Sequence, residues 1–122
     1  MVKPLKIEAG DESPLVLLDK DNGIFEISGR SFPEDSAAFY APVLAWIKAY
    51  TLNPNPTTEF TFKLDYSNTS SSKFIYDLIV MLKSINGITI KWCYREDDED
   101  MLQAGSDLSE QVLVPFKFDK YR

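Results

Sequence analysis

EFTFKLDYSNTSSSKFIYDLIVMLKSINGITIKWCY, residues 59–94, is the stretch of sequence that decides the fold. Apolar and polar side chains alternate over Glu59–Tyr66, which predicts a β-strand with one face in water. A helix should follow, to about Ile85, because apolar side chains then return at helical spacing. An Asn-Gly pair ends this helix, and alternation resumes over Ile88–Tyr94. The pattern predicts two parallel strands joined by a right-handed crossover.

Two strands and a helix are predicted before this unit. The Asn22-Gly23 pair lies between two apolar runs, residues 15–18 and 24–27, and predicts an opening hairpin closed by a type I′ turn. Apolar residues at helical spacing then predict a helix from about Glu34 to Tyr50. Pro42 should kink that helix or mark a late start, because proline has no N–H.

A short helix and a last strand are predicted after the unit. The helix runs from Asp97 to about Ala104, and Gly105 ends it. The strand is expected from four alternating apolar residues: Val112, Val114, Phe116 and Phe118. Because Pro115 lies inside this pattern, the strand should be at the edge of the sheet.

The element order is therefore ββαβαβαβ, an α/β arrangement of two layers. Strands buried on both faces are apolar throughout, whereas the strands at 59–66 and 88–94 alternate. We therefore expect a mixed sheet of about five strands with helices mainly on one face. The length of 122 residues suits one domain over residues 1–122.

Composition limits the function classes. The net charge of −6 disfavours nucleic acid and anionic membranes, so another protein is the expected partner. No apolar run suggests membrane insertion or a signal peptide, and the single cysteine, Cys93, excludes an internal disulfide, so a cytoplasmic location is expected. The chain has no histidine, which removes the commonest general base and metal ligand. We expect no catalysis and no cofactor.

The segment Asn68–Ser72, called the hydroxyl segment below, is the first candidate functional site. It lies between a predicted strand and a predicted helix, where unpaired N–H groups and the helix dipole favour an anion such as a phosphate. The plainer interpretation is a helix cap, since Asn, Ser and Thr are the preferred cap residues. Two details favour an anion: five cap candidates stand in a row, and Lys73 places a cation in the first turn. Neither decides the matter.

The acidic run Glu96–Asp100 is the second candidate. It could hold a divalent metal or a small ligand, which is the alternative function, but it lacks the spacing of an EF-hand loop. An acidic helix start favoured by the dipole is the simpler interpretation.

Four blocks of sequence resemble the SiaC family of bacterial regulatory phosphoproteins. They are GRSFPE at 29–34, FYxP at 39–42 with Trp46, LDYxNTSS at 64–71 and DEDMLxAG at 98–105. The blocks span most of the chain in the order that the family has. Phe32 is a departure, since tyrosine is expected there.

The resemblance implies a fold similar to STAS domains, the anti-sigma-factor antagonists. It implies phosphorylation of Thr69, with Ser70, Ser71 and Ser72 as the alternatives. The implied partners are a SiaB-type kinase, a SiaA-type PP2C-like phosphatase and a SiaD-type GGDEF diguanylate cyclase, which the unphosphorylated protein activates. The expected partner-binding surface consists of Tyr66, Asn68, Thr69, Ser70, Ser71 and Lys73.

Overall fold

The computed structural model describes residues 2–122. In chain order the elements are β1 (Leu5–Ile7), β2 (Leu15–Asp19), β3 (Ile24–Ser31), α1 (Ser36–Tyr50), β4 (Thr58–Ser67), α2 (Thr69–Leu82), β5 (Ile88–Arg95), α3 (Glu99–Val112) and β6 (Phe116–Tyr121). Within the described residues, every helix is too short or too polar to cross a lipid bilayer.

The strands form one mixed sheet in the order β1-β2-β3-β4-β5-β6. The first three are antiparallel neighbours, and β3 to β6 are parallel. Each crossover helix therefore joins two adjacent strands, and the three crossovers advance across the sheet in the same direction. Because such connections are right-handed, all three helices lie on one face. The mixed sheet with one covered face is confirmed. Its six strands exceed the expected five because the three-residue β1 is too short to show alternation.

The core lies between the sheet and the helices. In β4, Phe60, Phe62 and Leu64 are buried while the residues between them face the other side of the sheet. Trp46 and Trp92 lie in this core. Each fully buried large apolar side chain contributes about 1.5–3 kcal/mol, so this layer supplies most of the drive to fold.

Strands β2 and β3 form the predicted hairpin, but its turn is not type I′. The last paired residues are Asp19 and Ile24, which leaves a four-residue loop. A type I′ turn needs positive φ at both central residues. Of the described loop residues, Gly23 has a positive φ, 66°, and Asn22 does not. The Asp19 carboxylate instead accepts a hydrogen bond from the Asn22 N–H at 3.2 Å, which stabilises the longer loop.

Helix α1 begins two residues later than predicted, and Pro42 lies inside it. The Asp35 carboxylate accepts from the backbone N–H of Ala38 at 3.1 Å and caps the helix. The Ala38 carbonyl, which Pro42 leaves without an amide donor, belongs to an exposed residue. Water can satisfy it, so the helix continues.

The last two helices differ from their predicted limits. Helix α2 begins at Thr69, so most of the hydroxyl segment belongs to its first turn. Helix α3 continues through Gly105 to Val112, because Gly105 is a buried packing position and does not end the helix. The left-handed residue after α3 is Leu113, with φ 57°. Strand β6 lies at the sheet edge, as predicted, but it starts after Pro115 and not at Val112, which is the last residue of α3.

Candidate functional site

The junction between β4 and α2 is fixed by Asn68. Its side-chain oxygen accepts from the backbone N–H of Ser71 at 2.8 Å and caps α2. Its own backbone N–H donates to the carbonyl of Ser31 at 3.0 Å, at the end of β3. The start of α2 is therefore held both by its cap and by the neighbouring strand. The cap interpretation of Asn68 is correct, and it leaves the four following hydroxyls free for other roles.

Ser71 is turned into the protein. It is completely buried, and its hydroxyl accepts from Ser31 at 2.9 Å. The Ser31 hydroxyl is in turn 2.6 Å from that of Tyr40 in α1. Because the one Ser31 proton goes to Ser71, Tyr40 is the donor in this pair. Burial raises the pKa of Tyr40 above its ordinary value, and the hydroxyls of Ser31 and Ser71 partly offset that rise. A kinase could reach Ser71 only if these hydrogen bonds broke and the helix start moved away from the sheet.

Ser70 and Ser72 are exposed but occupied. The hydroxyl of Ser70 is 2.8 Å from that of Ser36, the first residue of α1, and it donates to Asn68 at 3.3 Å. The hydroxyl of Ser72 is 3.1 Å from that of Ser67. Each of these two serines therefore has a side-chain partner across the junction.

Thr69 differs from its three neighbours. It is exposed, and its hydroxyl makes no hydrogen bond with any side chain or backbone group among residues 2–122. It is also the first helical residue, where the positive end of the α2 dipole is strongest. Of the four candidate acceptors, Thr69 is the one that a kinase can approach without breaking a hydrogen bond.

Lys73 has a local explanation. Its ammonium lies 3.4 Å from the Asp77 carboxylate, one helical turn on, and 5.1 Å from the centre of the Phe74 ring. The side chain remains 71% exposed. The Lys73 charge is thus paired with that of Asp77 within α2, so its position in the first turn is no longer evidence that an anion binds there. Lys73 can still contact a partner from this position.

Tyr66 belongs to an aromatic group that the sequence did not predict. It is 50% exposed, and its ring meets that of Phe32 edge-on at 5.8 Å. The Arg30 guanidinium covers the same Phe32 ring at 4.9 Å. Parallel pairing of β3 with β4 sets Arg30 opposite Tyr66. The signal was present in the GRSFPE block, but it needed the strand register to be recognised. The group supplies an exposed aromatic and cationic surface beside the hydroxyl segment.

The acidic run forms the start of α3. The Asp98 carboxylate caps the helix by accepting from the Met101 N–H at 2.9 Å, and Glu99 and Asp100 lie in the first turn. No group of three potential metal-binding side chains occurs within residues 2–122. Asp98 and Asp100 do border a crevice of about 390 Å³, which Tyr66 and Ser72 border from the other side. The acidic run therefore acts as a helix start beside the hydroxyl segment.

Cys93 faces the uncovered side of the sheet but is buried there. Burial raises the pKa of its thiol above the ordinary value, and the nearby Lys91 lowers it by a smaller amount. A raised pKa disfavours the reactive thiolate. Cys93 therefore has the environment of a packing residue.

Comparison with known proteins places these features in a family. The sequence profile of the SiaC family regulatory phosphoproteins matches residues 7–121. An uncharacterized protein of Pseudomonas aeruginosa strain UCBPP-PA14 is 24% identical over an alignment of 116 residues that covers 92% of this chain and 92% of that protein.

Solved structures share the fold along nearly the whole chain. SiaC of Pseudomonas aeruginosa superposes with a TM-score of 0.88 at 22% identity, over 98% of this chain and 100% of that one. A chain from the crystal structure of the diguanylate cyclase SiaD in complex with its activator SiaC, from the same organism, gives 0.86 at 24% identity, over 96% and 99%. At this identity the likeness establishes the fold.

Proposed function

The chain belongs to the SiaC family of regulatory phosphoproteins, and we propose that it controls a partner protein through reversible phosphorylation of Thr69. It has no catalysis of its own in this proposal. The observation that carries it is the state of the four hydroxyls: Ser71 is buried, Ser70 and Ser72 are hydrogen-bonded, and Thr69 is exposed and unengaged among the described residues.

The position of Thr69 suits a switch that acts without unfolding the protein. A phosphate adds about −1.5 to −2 charges at neutral pH. At the first position of α2 that charge meets the positive end of the helix dipole, so the fold tolerates it. The change is confined to the surface, where the new charge and its hydration oppose contact with a partner.

The surface beside Thr69 is suited to protein binding. Tyr66 offers an exposed ring next to Asn68, and Lys73 extends a cation from the first turn of α2. Aromatic side chains are enriched at the centres of protein interfaces, and the rim around such a centre is polar, which suits Lys73. The partner contact and the modified residue therefore share one patch.

We infer that the partner is a GGDEF diguanylate cyclase of the SiaD type, which the unphosphorylated chain activates. The support is the structure of SiaD with its activator SiaC, one chain of which shares this fold. A SiaB-type kinase and a SiaA-type phosphatase would set the phosphorylation state, and all of these proteins act in the cytoplasm. The family resemblance supports these two enzymes and the location.

The acceptor is tested by removing one hydroxyl at a time. The wild type, Thr69→Ala and Ser72→Ala proteins are incubated with ATP and the SiaB-type kinase from the same cells, and intact mass is measured. We expect one phosphate on the wild type and on Ser72→Ala, and only slow residual phosphorylation of Thr69→Ala in the same time. Ser72→Ala is the matched control because it removes an exposed hydroxyl from the same turn. Full phosphorylation of Thr69→Ala would contradict the assignment.

Release is tested with two variants of similar shape. Thr69→Asp should weaken binding to the cyclase about tenfold or more, a loss of about 1.4 kcal/mol, whereas Thr69→Asn should change it far less. Titration calorimetry measures both affinities. Equal affinity of the two variants would show that charge at residue 69 does not release the partner.

A further inference from the structure

The hydroxyl segment poses a specificity problem for any kinase that acts on it. Thr69, Ser70 and Ser72 are all exposed within one helical turn, so exposure alone does not select among them. What separates them is their hydrogen bonding. Ser70 is the nearest competitor of Thr69 in sequence, and its principal partner comes from a different helix.

Ser36 supplies that partner. It is the first residue of α1, it is only 7% exposed, and its hydroxyl lies 2.8 Å from that of Ser70. This distance is typical of a good hydroxyl–hydroxyl bond. The other contact of Ser70, with the Asn68 side chain, is longer at 3.3 Å. Ser36 does not cap α1, because Asp35 does so. Its hydroxyl is therefore free to hold Ser70.

We propose that Ser36 is a specificity-determining residue of the switch, whose hydroxyl holds Ser70 and so leaves Thr69 as the acceptor. The inference rests on the proposed function, since it assumes that a kinase acts on this segment. It adds a residue from α1, distant in sequence, to the residues that determine where the phosphate goes.

The chemistry explains why this hydrogen bond matters. In phosphoryl transfer from ATP, the acceptor oxygen forms a bond to the γ-phosphorus as the bond from that phosphorus to the bridging oxygen of ADP breaks. The hydroxyl proton passes to a base of the kinase, and ADP leaves. The acceptor must turn both its lone pair and its proton toward the kinase. Ser70 must first give up its short bond with Ser36 and its longer bond with Asn68, whereas Thr69 has no side-chain or backbone hydrogen bond at its hydroxyl among residues 2–122.

The test moves the phosphate to a new residue. In a Thr69→Ala background, adding Ser36→Ala should raise the rate of Ser70 phosphorylation by the kinase roughly two- to tenfold, the value of one hydrogen bond. Tandem mass spectrometry locates the phosphate, which a purely structural defect would not relocate. Alanine suits the first turn of a helix. Ser36→Cys, which keeps the size but bonds weakly, gives a second variant with the same expectation.

The control and the outcomes separate this inference from the proposed function. Ser84→Ala in the same background removes a serine hydroxyl from the turn just after the far end of α2, where it donates to the Met81 carbonyl, and should leave the rate of Ser70 phosphorylation unchanged. An unchanged rate at Ser70 in both Ser36 variants, with wild type still modified at Thr69, overturns the inference alone. A wild type that the kinase does not modify at Thr69 overturns the proposed function and the inference with it.

Discussion

At the scale of single residues, Tyr40 joins the two layers beneath the hydroxyl segment. Its hydroxyl donates to Ser31, which donates to Ser71, and all three residues are completely buried. An unpaired buried hydroxyl costs about 1–3 kcal/mol, so each member depends on the others. No buried side-chain polar atom within residues 2–122 lacks a partner. This series of hydrogen bonds therefore fixes α2 against β3 and leaves no unpaired polar side chain in the described core.

Tyr40→Phe should lower the free energy of unfolding by about 1 kcal/mol at neutral pH, because the Ser31 hydroxyl loses its donor. It should also flatten the alkaline loss of stability. Burial raises the pKa of Tyr40 above its ordinary 10.0, so above about pH 10 the unfolded chain binds fewer protons than the native state. Wild-type stability then falls as pH rises, by at most about 1.4 kcal/mol per pH unit from this group.

Urea titrations at about pH 7, 9 and 11 measure both effects. Tyr76→Phe is the matched control, because Tyr76 is exposed in α2 and should keep the wild-type stability and pH dependence. An equal alkaline loss in the wild type and in Tyr40→Phe would mean that the buried phenol does not cause it.

The sequence located the hydroxyl segment but could not rank its members by geometry. Strand–helix alternation is a local signal, and it placed the segment at a junction correctly. The hydrogen bonds that engage Ser71 and Ser70 come from Ser31 and Ser36, which lie more than thirty residues away. Those contacts exist only after β3, α1 and α2 have packed together. The family resemblance was therefore needed to select Thr69.

At the scale of elements, α3 shows how packing overrides a local signal. The indole N–H of Trp92 donates to the Met101 carbonyl of α3 at 2.9 Å, so the helix backbone lies against the ring. A Cβ at Gly105 would meet the Trp92 ring at 2.5 Å. Glycine is present for this close approach, which sequence rules interpret as a helix end. Such a contact between β5 and α3 cannot be seen in either element alone.

Gly105→Ala should lower the free energy of unfolding by about 1–3 kcal/mol, although alanine favours helices by about 1 kcal/mol over glycine. Overpacking dominates because Trp92 is 2% exposed and has no room to move. Ala104→Gly is the control: Ala104 is exposed, so it should lose only about 1 kcal/mol, through helix propensity. Urea titration measures both variants. A Gly105→Ala protein more stable than wild type would show that the Trp92 ring can move aside.

At the scale of the whole molecule, the strand order determines where the helix starts lie. Because β3, β4 and β5 are parallel, each helix that follows one of them begins beyond its carboxyl end, so all three helices begin along the same side of the sheet. The three residues that cap these helices, Asp35, Asn68 and Asp98, therefore lie along the same side. The right-handed rule made this arrangement predictable from sequence. Ligands of open α/β sheets usually bind beyond the carboxyl ends of the strands, which is this side.

Net charge gives the last prediction, which concerns how the phosphate releases the partner. The chain carries −6, and phosphorylation brings it to about −8, so an acidic partner surface would be repelled over several ångströms. Raising the salt from about 0.1 M to 1 M shortens the screening length from about 10 Å to 3 Å. The ratio of partner affinities, unphosphorylated over phosphorylated, should therefore fall several-fold. Thr69→Asn, which adds bulk without charge, should show a salt-independent ratio to wild type. A phosphate effect equally insensitive to salt would instead assign release to local desolvation of the phosphate at the interface.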